Sequence, residues 1–359
     1  MSDRIHTAAV IGLGKMGAEP SKRAEGDVPN GWLPLTHLEA MLTNPQLSVQ
    51  AICDIDRAKC ERFSSHYNIR QFFTDYKELL DKMRPEFISI ATRTENRLDI
   101  INEALDKDVR GIYCEKPFSR NIGTAKKVLE RAERQNVKIG YGTNRRYVNI
   151  YRQAKELIHS CDLGAITEIT IENGNGQLLW VHPHSTDLLL FLADTTDIEF
   201  IQGRCTFSDE TPTASNGVID DDPYVDHAFF KFKNGMNGII NKTGGFNTRI
   251  GCTRGLVTIY SNGFMMEVRK SAPSEVSYFN VTKQVLAEPS ASGTQNAFNE
   301  MIRALDGEEK MPISPLEILR GMQMLFGIVQ SSLNNGRPIR IEDIDDSIII
   351  TGRTGTLYA

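Results

Sequence analysis

The hexapeptide Gly12-Leu13-Gly14-Lys15-Met16-Gly17 constrains this chain more than any other feature. G-x-G-x-x-G alone is a weak signal. Here it follows an apolar run, 7-TAAVIG, and opens a helical pattern, and that context makes it a dinucleotide-binding fingerprint. Gly12 permits a tight turn, Gly14 lets backbone approach a pyrophosphate, and Gly17 allows helix and strand to pack closely. The amides of the helix start then face the anion, so Lys15 and Met16 join the glycines as cofactor candidates. The acid that binds the adenosine ribose is expected about 20 residues later. The candidate, Asp54, ends the run 49-VQAICD but lies 37 residues beyond Gly17. Ala18–Pro34 carries three prolines and two glycines, and removing these 17 residues restores the spacing. The segment is therefore read as an insertion into the first helix. A carboxylate at Asp54, followed by Ile55 rather than Arg, favours NAD over NADP, with Arg57 able to alter the choice.

The rest of the first half alternates short apolar strands (47-LSVQAICD, 87-FISIAT, 111-GIYCE, 137-VKIGYG) with helical patterns, which predicts βαβ units and a parallel sheet. After a helix near 149-NIYRQAKELIHS the pattern changes to strands at 165, 198, 225, 237, 256 and 264, two pairs of them joined by Asn234-Gly235 and Asn262-Gly263. Asn-Gly marks hairpins because both centres of a type I′ turn need positive φ. The expected fold is α/β: a Rossmann domain over 1–143 and, over 144–359, an α+β domain with a large open, mostly antiparallel sheet. A length of 359 residues fits two domains.

The net charge is −5 and no basic patch stands out, which argues against nucleic acid or anionic membrane as a partner. The longest apolar runs are too short to span a bilayer, and the N-terminal apolar stretch reads as a first strand rather than a leader. Cys53, Cys60, Cys114, Cys161, Cys205 and Cys252 show no CxxC spacing and read as reduced thiols of a cytoplasmic protein.

Lys116, in Tyr113-Cys114-Glu115-Lys116-Pro117, lies at the C-terminal end of a strand, the edge where an open parallel sheet binds ligands. With GLGKMG, CDID, ISIAT, CEKPFSRNIGTAKKVLERA and IGYGTNRRY, the chain resembles the glucose–fructose oxidoreductase / inositol dehydrogenase / MocA family along nearly its whole length. The resemblance implies NAD(P)-dependent oxidation or reduction of a carbinol in a sugar, sugar derivative or cyclitol, and a homodimer or homotetramer formed through the second sheet. It implies that Lys116 contacts substrate and nicotinamide, that Glu115 either contacts the nicotinamide-side ribose or structures the loop, that Thr92 lies at the cofactor, and that the Lys116–Pro117 bond is cis.

The stretch His182-Pro183-His184-Ser185-Thr186-Asp187 resembles the family's D-x-G-x-H-x-x-D, matching at His184 and Asp187. These two share a helix face, and a His suits proton transfer near neutrality. Trp180 and His182 replace the family's Asp and Gly, so His184 lacks its usual acid. Trp180 is read as a stacking surface and His182 as either a packed residue or a substrate contact. A metal at His182, His184 and Asp187 is the weaker reading, since hydride transfer to nicotinamide needs none. Asn144, Arg145 and Arg146 match a family segment in which one Arg lines the cleft; Arg146 is favoured, with Tyr141 beside it. Arg93 and Arg97 are candidates for an anionic substrate or a solvated helix start. Trp32, an apolar residue in the polar insertion, is expected to be anchored, as part of a lid or a subunit contact. The working assignment makes His184 the proton acceptor, Lys116 the alkoxide stabiliser and Asp187 the holder of a second hydroxyl. Two rivals are a redox-neutral, NAD-using glycoside-cleaving enzyme and a non-catalytic NAD-binding regulator; Lys116 and His184 together argue against the regulator.

Overall fold

The computed structural model describes residues 4–160, 162–208, 217–271 and 279–352. The first half builds β1 (His6–Ile11), α1 (His37–Leu42), β2 (Leu47–Cys53), α2 (Arg57–Tyr67), β3 (Gln71–Phe73), α3 (Tyr76–Met83), β4 (Phe87–Ile90), α4 (Arg97–Leu105), β5 (Gly111–Cys114), α5 (Ile122–Arg134) and β6 (Lys138–Tyr141). Six strands pair in the order β3-β2-β1-β4-β5-β6, every pair parallel. This is the Rossmann arrangement, and strand order reverses between β1 and β4. Ala8, Val10, Phe87, Ile88, Ile112 and their neighbours are fully buried, because helices cover both faces of a parallel sheet.

The insertion leaves the first helix in register. Gly17, Ala18 and Glu19 donate to Gly14 O as one helical turn, the chain departs, and α1 then stacks coaxially beneath that turn. His37 N donates to Met16 O at 2.8 Å and Leu38 N to Gly17 O at 2.9 Å. Subtracting the 17 inserted residues turns both contacts into i→i−4 helical bonds. The excursion itself is pinned to the second half of the chain. Trp32 Nε1 donates to Asn262 O at 3.1 Å, Asn30 Nδ2 to Ala287 O at 3.0 Å and Ser292 Oγ to Pro34 O at 2.7 Å. Trp32 is thus anchored as expected, but within its own chain, as a clasp between the two domains.

The second half contains α6 (Asn149–His159), β7 (Ile166–Glu172), α7 (Pro183–Ala193), β8 (Ile198–Thr206), β9 (Val218–Ile219), β10 (Tyr224–Phe232), β11 (Asn237–Asn241), β12 (Asn247–Cys252), β13 (Gly255–Tyr260), β14 (Met265–Ser271), β15 (Phe279–Leu286), α8 (Gly293–Leu305), α9 (Pro315–Leu333), β16 (Ile339–Arg340) and β17 (Ile349–Ile350). Nine strands form one sheet, β15-β14-β13-β12-β7-β11-β10-β8-β16, antiparallel except for β7–β11. One face packs on α7 and α9; the other is open, as the alternating burial of β8 and β10 shows. The two Asn-Gly turns differ. Asn262 and Gly263 both take positive φ, as the hairpin signal requires, whereas at 234–235 only Gly235 does, so that connection is not type I′. The division at residue 143 is crossed by α8, whose Phe298, Met301 and Ile302 return to pack on Leu13, Phe87 and Tyr113 of the first domain.

Candidate active site

The glycine loop and the loop after β4 touch at the point where strand order reverses. A Cβ on Gly12, whose φ is 95°, would sit 2.6 Å from Ala91 C, and one on Gly17 would sit 1.9 Å from Gly12 O. Gly14 has open space instead, so a ligand can approach its backbone. Asp54 Oδ2 accepts from Leu13 N at 2.7 Å and Oδ1 from Asp56 N at 3.0 Å, which fixes the carboxylate at the loop's edge. Beside it Ile55 is 93% exposed. Arg57 turns away, its Nε on Glu61 at 2.8 Å and its guanidinium over Phe72. Lys15 is exposed, Met16 is half-buried, and Arg23 of the insertion braces the loop by donating to Lys15 O at 2.6 Å. These residues fit a dinucleotide: a backbone cradle with room at its centre and a fixed acid at the ribose position.

The loop after β5 carries Lys116, and the Lys116–Pro117 bond is cis. Glu115 is buried. His37 Nε2 donates to its Oε1 at 3.1 Å, and Lys116 N donates to its Oε2 at 3.0 Å. Burial pushes the Glu115 carboxyl up, but the His37 hydrogen bond and the charges of His37, Lys116 and Arg97 outweigh it and hold it below its ordinary value. Arg97 joins this loop to the one after β4, donating to Thr92 O at 3.0 Å and to Pro117 O. The expectation that Arg97 meets an anionic substrate therefore fails, because carbonyl oxygens occupy its donors; Arg93 is exposed. Half-buried Lys116 donates from Nζ to Trp180 O at 2.5 Å and lies 4.3 Å from the Trp180 ring centre. Burial, helped by Arg97 and Arg145 and opposed by Glu115 and Asp222, lowers Lys116 to about 8.

The second domain brings the start of α7 against this lysine. His182, at the N-cap, is buried with Nδ1 on Ser185 Oγ at 3.0 Å, and burial lowers it to about 4. It packs inside and does not offer a free surface to substrate. His184 is half-buried, and its Nδ1 lies inside without a hydrogen-bond partner among the described residues. Burial first, then the charges of Arg145 and Lys116, hold His184 well below its ordinary value, so it is neutral at working pH. Asp187 departs from expectation. Arg146 grips it through Nη2 at 2.7 Å and Nε at 3.0 Å, and Nη2 also reaches Glu317 at 3.1 Å. Both side chains are almost wholly buried, so neither Asp187 nor Arg146 lines the cleft. Burial lifts the Asp187 carboxyl, and Arg146 opposes the rise. Asp187 is thereby withdrawn from any ligand set with the two histidines.

Asn144 and Tyr141 are likewise interior. Asn144 accepts from the Tyr113 hydroxyl at 3.1 Å and donates to Thr294 at 3.2 Å, while Tyr141 packs edge-on against Phe118. Sequence reasoning missed His37, because a lone histidine after an insertion carries no motif. It also missed Asp222, whose Oδ1 accepts from Leu179 N at 2.7 Å and whose charge reaches Lys116. Of the two arginines it is Arg145, next in sequence to the one favoured, whose charge acts on Lys116 and His184. The five described cysteines are buried free thiols, and Cys161 lies outside the described residues.

Residues 28–143 match the model of the Gfo/Idh/MocA oxidoreductase family, described as an NAD-binding Rossmann fold. The match covers about a third of the chain and lies wholly in its Rossmann half. The match starts inside the insertion, which separates it from the glycine loop. Over 139 residues the chain is 24% identical to the uncharacterized oxidoreductase YrbE of Bacillus subtilis, covering 39% of this chain and 40% of that one. Over 248 residues it is 21% identical to a myo-inositol 2-dehydrogenase of Thermotoga maritima, covering 65% and 67%. The chain thus spans less than half the length of the first relative and about two thirds of the second. A levoglucosan dehydrogenase solved with NADH and levoglucosan shares the fold of this chain, with a TM-score of 0.72 over 94% of this chain and all of that one at 15% identity. Among the described residues no helix is long and apolar enough to cross a membrane.

Proposed function

We propose that this protein is an NAD-dependent dehydrogenase that interconverts a CH–OH group and a carbonyl in a sugar, a sugar derivative (phosphorylated and nucleotide-linked forms included) or a cyclitol. One observation carries the reading: Lys116, at the edge of the parallel sheet where the glycine loop and Asp54 form a dinucleotide cradle, reaches across to donate to Trp180 O just ahead of the helix that carries His184. The relatives named for inositol and levoglucosan dehydrogenases support a polyhydroxylated substrate.

NAD, when bound, supplies the hydride acceptor. The chain binds it, excludes water and handles the proton. Asp54 is held by two backbone amides and repels a 2′-phosphate, while Arg57 is occupied by Glu61, which favours NAD over NADP. The proton assignment shifts relative to the sequence-based one. His184 is a weak base in its buried, cation-flanked position, whereas Lys116 at about 8 is matched to neutral pH. The neutral Lys116 amine takes the hydroxyl proton, and neutral His184 positions the hydroxyl. Asp187 and Arg146 hold α7 against the 144–147 turn and so fix His184 without touching substrate. The Trp180 ring, 42% exposed beside Lys116, offers an apolar platform to a sugar face.

The test is absorbance at 340 nm with NAD or NADP and a panel of cyclitols, free sugars, sugar phosphates and nucleotide sugars. A rise with NAD and one substrate class is expected. Silence across the panel, with NADH binding verified by fluorescence, would overturn the dehydrogenase reading.

A further inference from the structure

Arg145 and Arg146 are neighbours in sequence with opposite surroundings. Arg146 is neutralised by Asp187 and Glu317. Arg145 is only 8% exposed, yet among the described residues no carboxylate lies within ion-pair distance of it. Its guanidinium carbon is 5.5 Å from the centre of the Trp32 ring, and its charge acts on the Tyr151 hydroxyl, so both of these neighbours are neutral. Trp32 is itself fixed by the Asn262 carbonyl, so the insertion sets one wall against Arg145. Arg145 lies in the turn just beyond the C-terminal end of β6, where Gly142 packs directly against Glu115 beside Lys116, and its charge acts on both Lys116 and His184.

A desolvated guanidinium without a counter-charge is costly. Nearby acids do not relieve it: Glu115 is taken up by His37 and the Lys116 amide, and Asp222 accepts from Leu179 N. The planar fork of an arginine suits a carboxylate, which it can hold through two parallel bonds. We infer that Arg145 is an anion anchor and that the substrate is a sugar acid, a polyhydroxylated chain or ring bearing a carboxylate close to the carbinol that reacts. This deepens the dehydrogenase reading and rests on it for the identity of the reaction. The anchor itself is a statement about binding.

The experiment pairs acids with neutral counterparts: D-glucuronate with D-glucose, D-galacturonate with D-galactose and D-gluconate with D-sorbitol, with D-glucose 6-phosphate as a second anion. Each is assayed at 340 nm with NAD and titrated calorimetrically into the NADH complex. The proteins are the wild type, Arg145→Met and Arg145→Lys, their folding checked by thermal melts. The expected result is a kcat/KM for at least one acid on the order of 10²-fold above its neutral partner. That ratio should collapse to within a few-fold in Arg145→Met and return in part in Arg145→Lys. If Arg145→Met does not fold, Arg145→Lys carries the comparison, since it keeps the charge and loses the fork. Equal turnover of acid and neutral partner by the wild type overturns the inference, as does a ratio that survives in the variants. A preference for glucose 6-phosphate over every carboxylate overturns the carboxylate assignment. If no compound is oxidised, the dehydrogenase reading fails while the anchor is judged by the titrations. Tighter binding of an acid that depends on Arg145 supports it, and equal binding overturns it.

Discussion

Replacing Arg146 with Met tests whether the Arg146–Asp187 pair holds the active-site helix or serves the substrate. The pair is bidentate, with contacts of 2.7 and 3.0 Å between nearly buried groups. Removing one partner of such a pair leaves a desolvated charge and costs about 3–5 kcal/mol. At an unfolding entropy of roughly 2.1 cal/mol/K per residue, that corresponds to a fall in Tm of about 4–7 °C for a single transition. The two single variants should differ. Arg146→Met strands Asp187 and takes one partner from Glu317, which keeps Ser314, whereas Asp187→Leu leaves Arg146 with Glu317 and the Pro312 carbonyl, so Arg146→Met is the more damaging. The double variant should recover at least half of the summed loss, because two apolar side chains replace the pair without leaving a charge behind. A pH signature goes with this. Burial already lifts the folded-state pKa of Asp187, and without Arg146 that lift is unopposed. A carboxyl whose folded pKa is raised stabilises the fold below its unfolded pKa and loses that contribution as pH rises through the folded value. Arg146→Met should therefore lie nearest to wild type in acid and fall away towards neutrality. Urea melts at several pH values give the cycle. Single variants that keep wild-type stability but raise KM would refute the reasoning and return both residues to the cleft.

Lys116→Met should lower turnover by about 10³–10⁴-fold while NADH binding, read by fluorescence, stays within a few-fold of wild type. Wild-type kcat/KM for oxidation should climb with pH and level off above about 8, where Lys116 has lost its proton, and the reverse reduction should fall over the same range. Trp32→Ala should cost about 3–5 kcal/mol by emptying its site against Asn262 and Arg145, measured by calorimetry.

The parallel half was legible because its signals are local. G-x-G-x-x-G, five apolar strands and alternating helices state the order of elements apart from the short β3, and the 17-residue excess before Asp54 was recovered as a helical register that skips the excursion. β12, 247-NTRIGC, went unread because its outward positions are Asn, Arg and Gly, so its inward Thr, Ile and Cys gave no clear alternation. At the site, motif spacing located Lys116 and His184 but could not say which way a side chain turns. Arg145 and Arg146 follow one another on a tight turn, and only the packing of α7 and Glu317 decides which is neutralised. Asp187 was assigned to substrate for the same reason: i and i+3 share a helix face, and that face meets Arg146. His37 comes to Glu115 across 78 residues, a contact no local pattern encodes.

Lys116 is braced from the second half of the chain through the backbone. Lys116 Nζ rests on the carbonyl of Trp180, and the segment that presents this carbonyl is held by Asp222, whose Oδ1 accepts from Leu179 N at 2.7 Å. The charge of Asp222 favours the ammonium form of Lys116, against burial and the two nearby arginines. Asp222 is thus a positioning residue for the lysine, placed in the segment between β9 and β10 instead of at the start of α7. Asp222→Asn keeps an acceptor for Leu179 N and removes the charge. The inflection in the oxidation profile should then move below 8, with the maximal rate little changed. Asp222→Ala removes acceptor and charge together, so the maximal rate should fall as well, because the Trp180 carbonyl loses its support. A simple structural role would lower stability and leave the inflection where it is. An inflection that stays put or rises in Asp222→Asn, in a protein that melts like wild type, would show that Asp222 has no hold on Lys116.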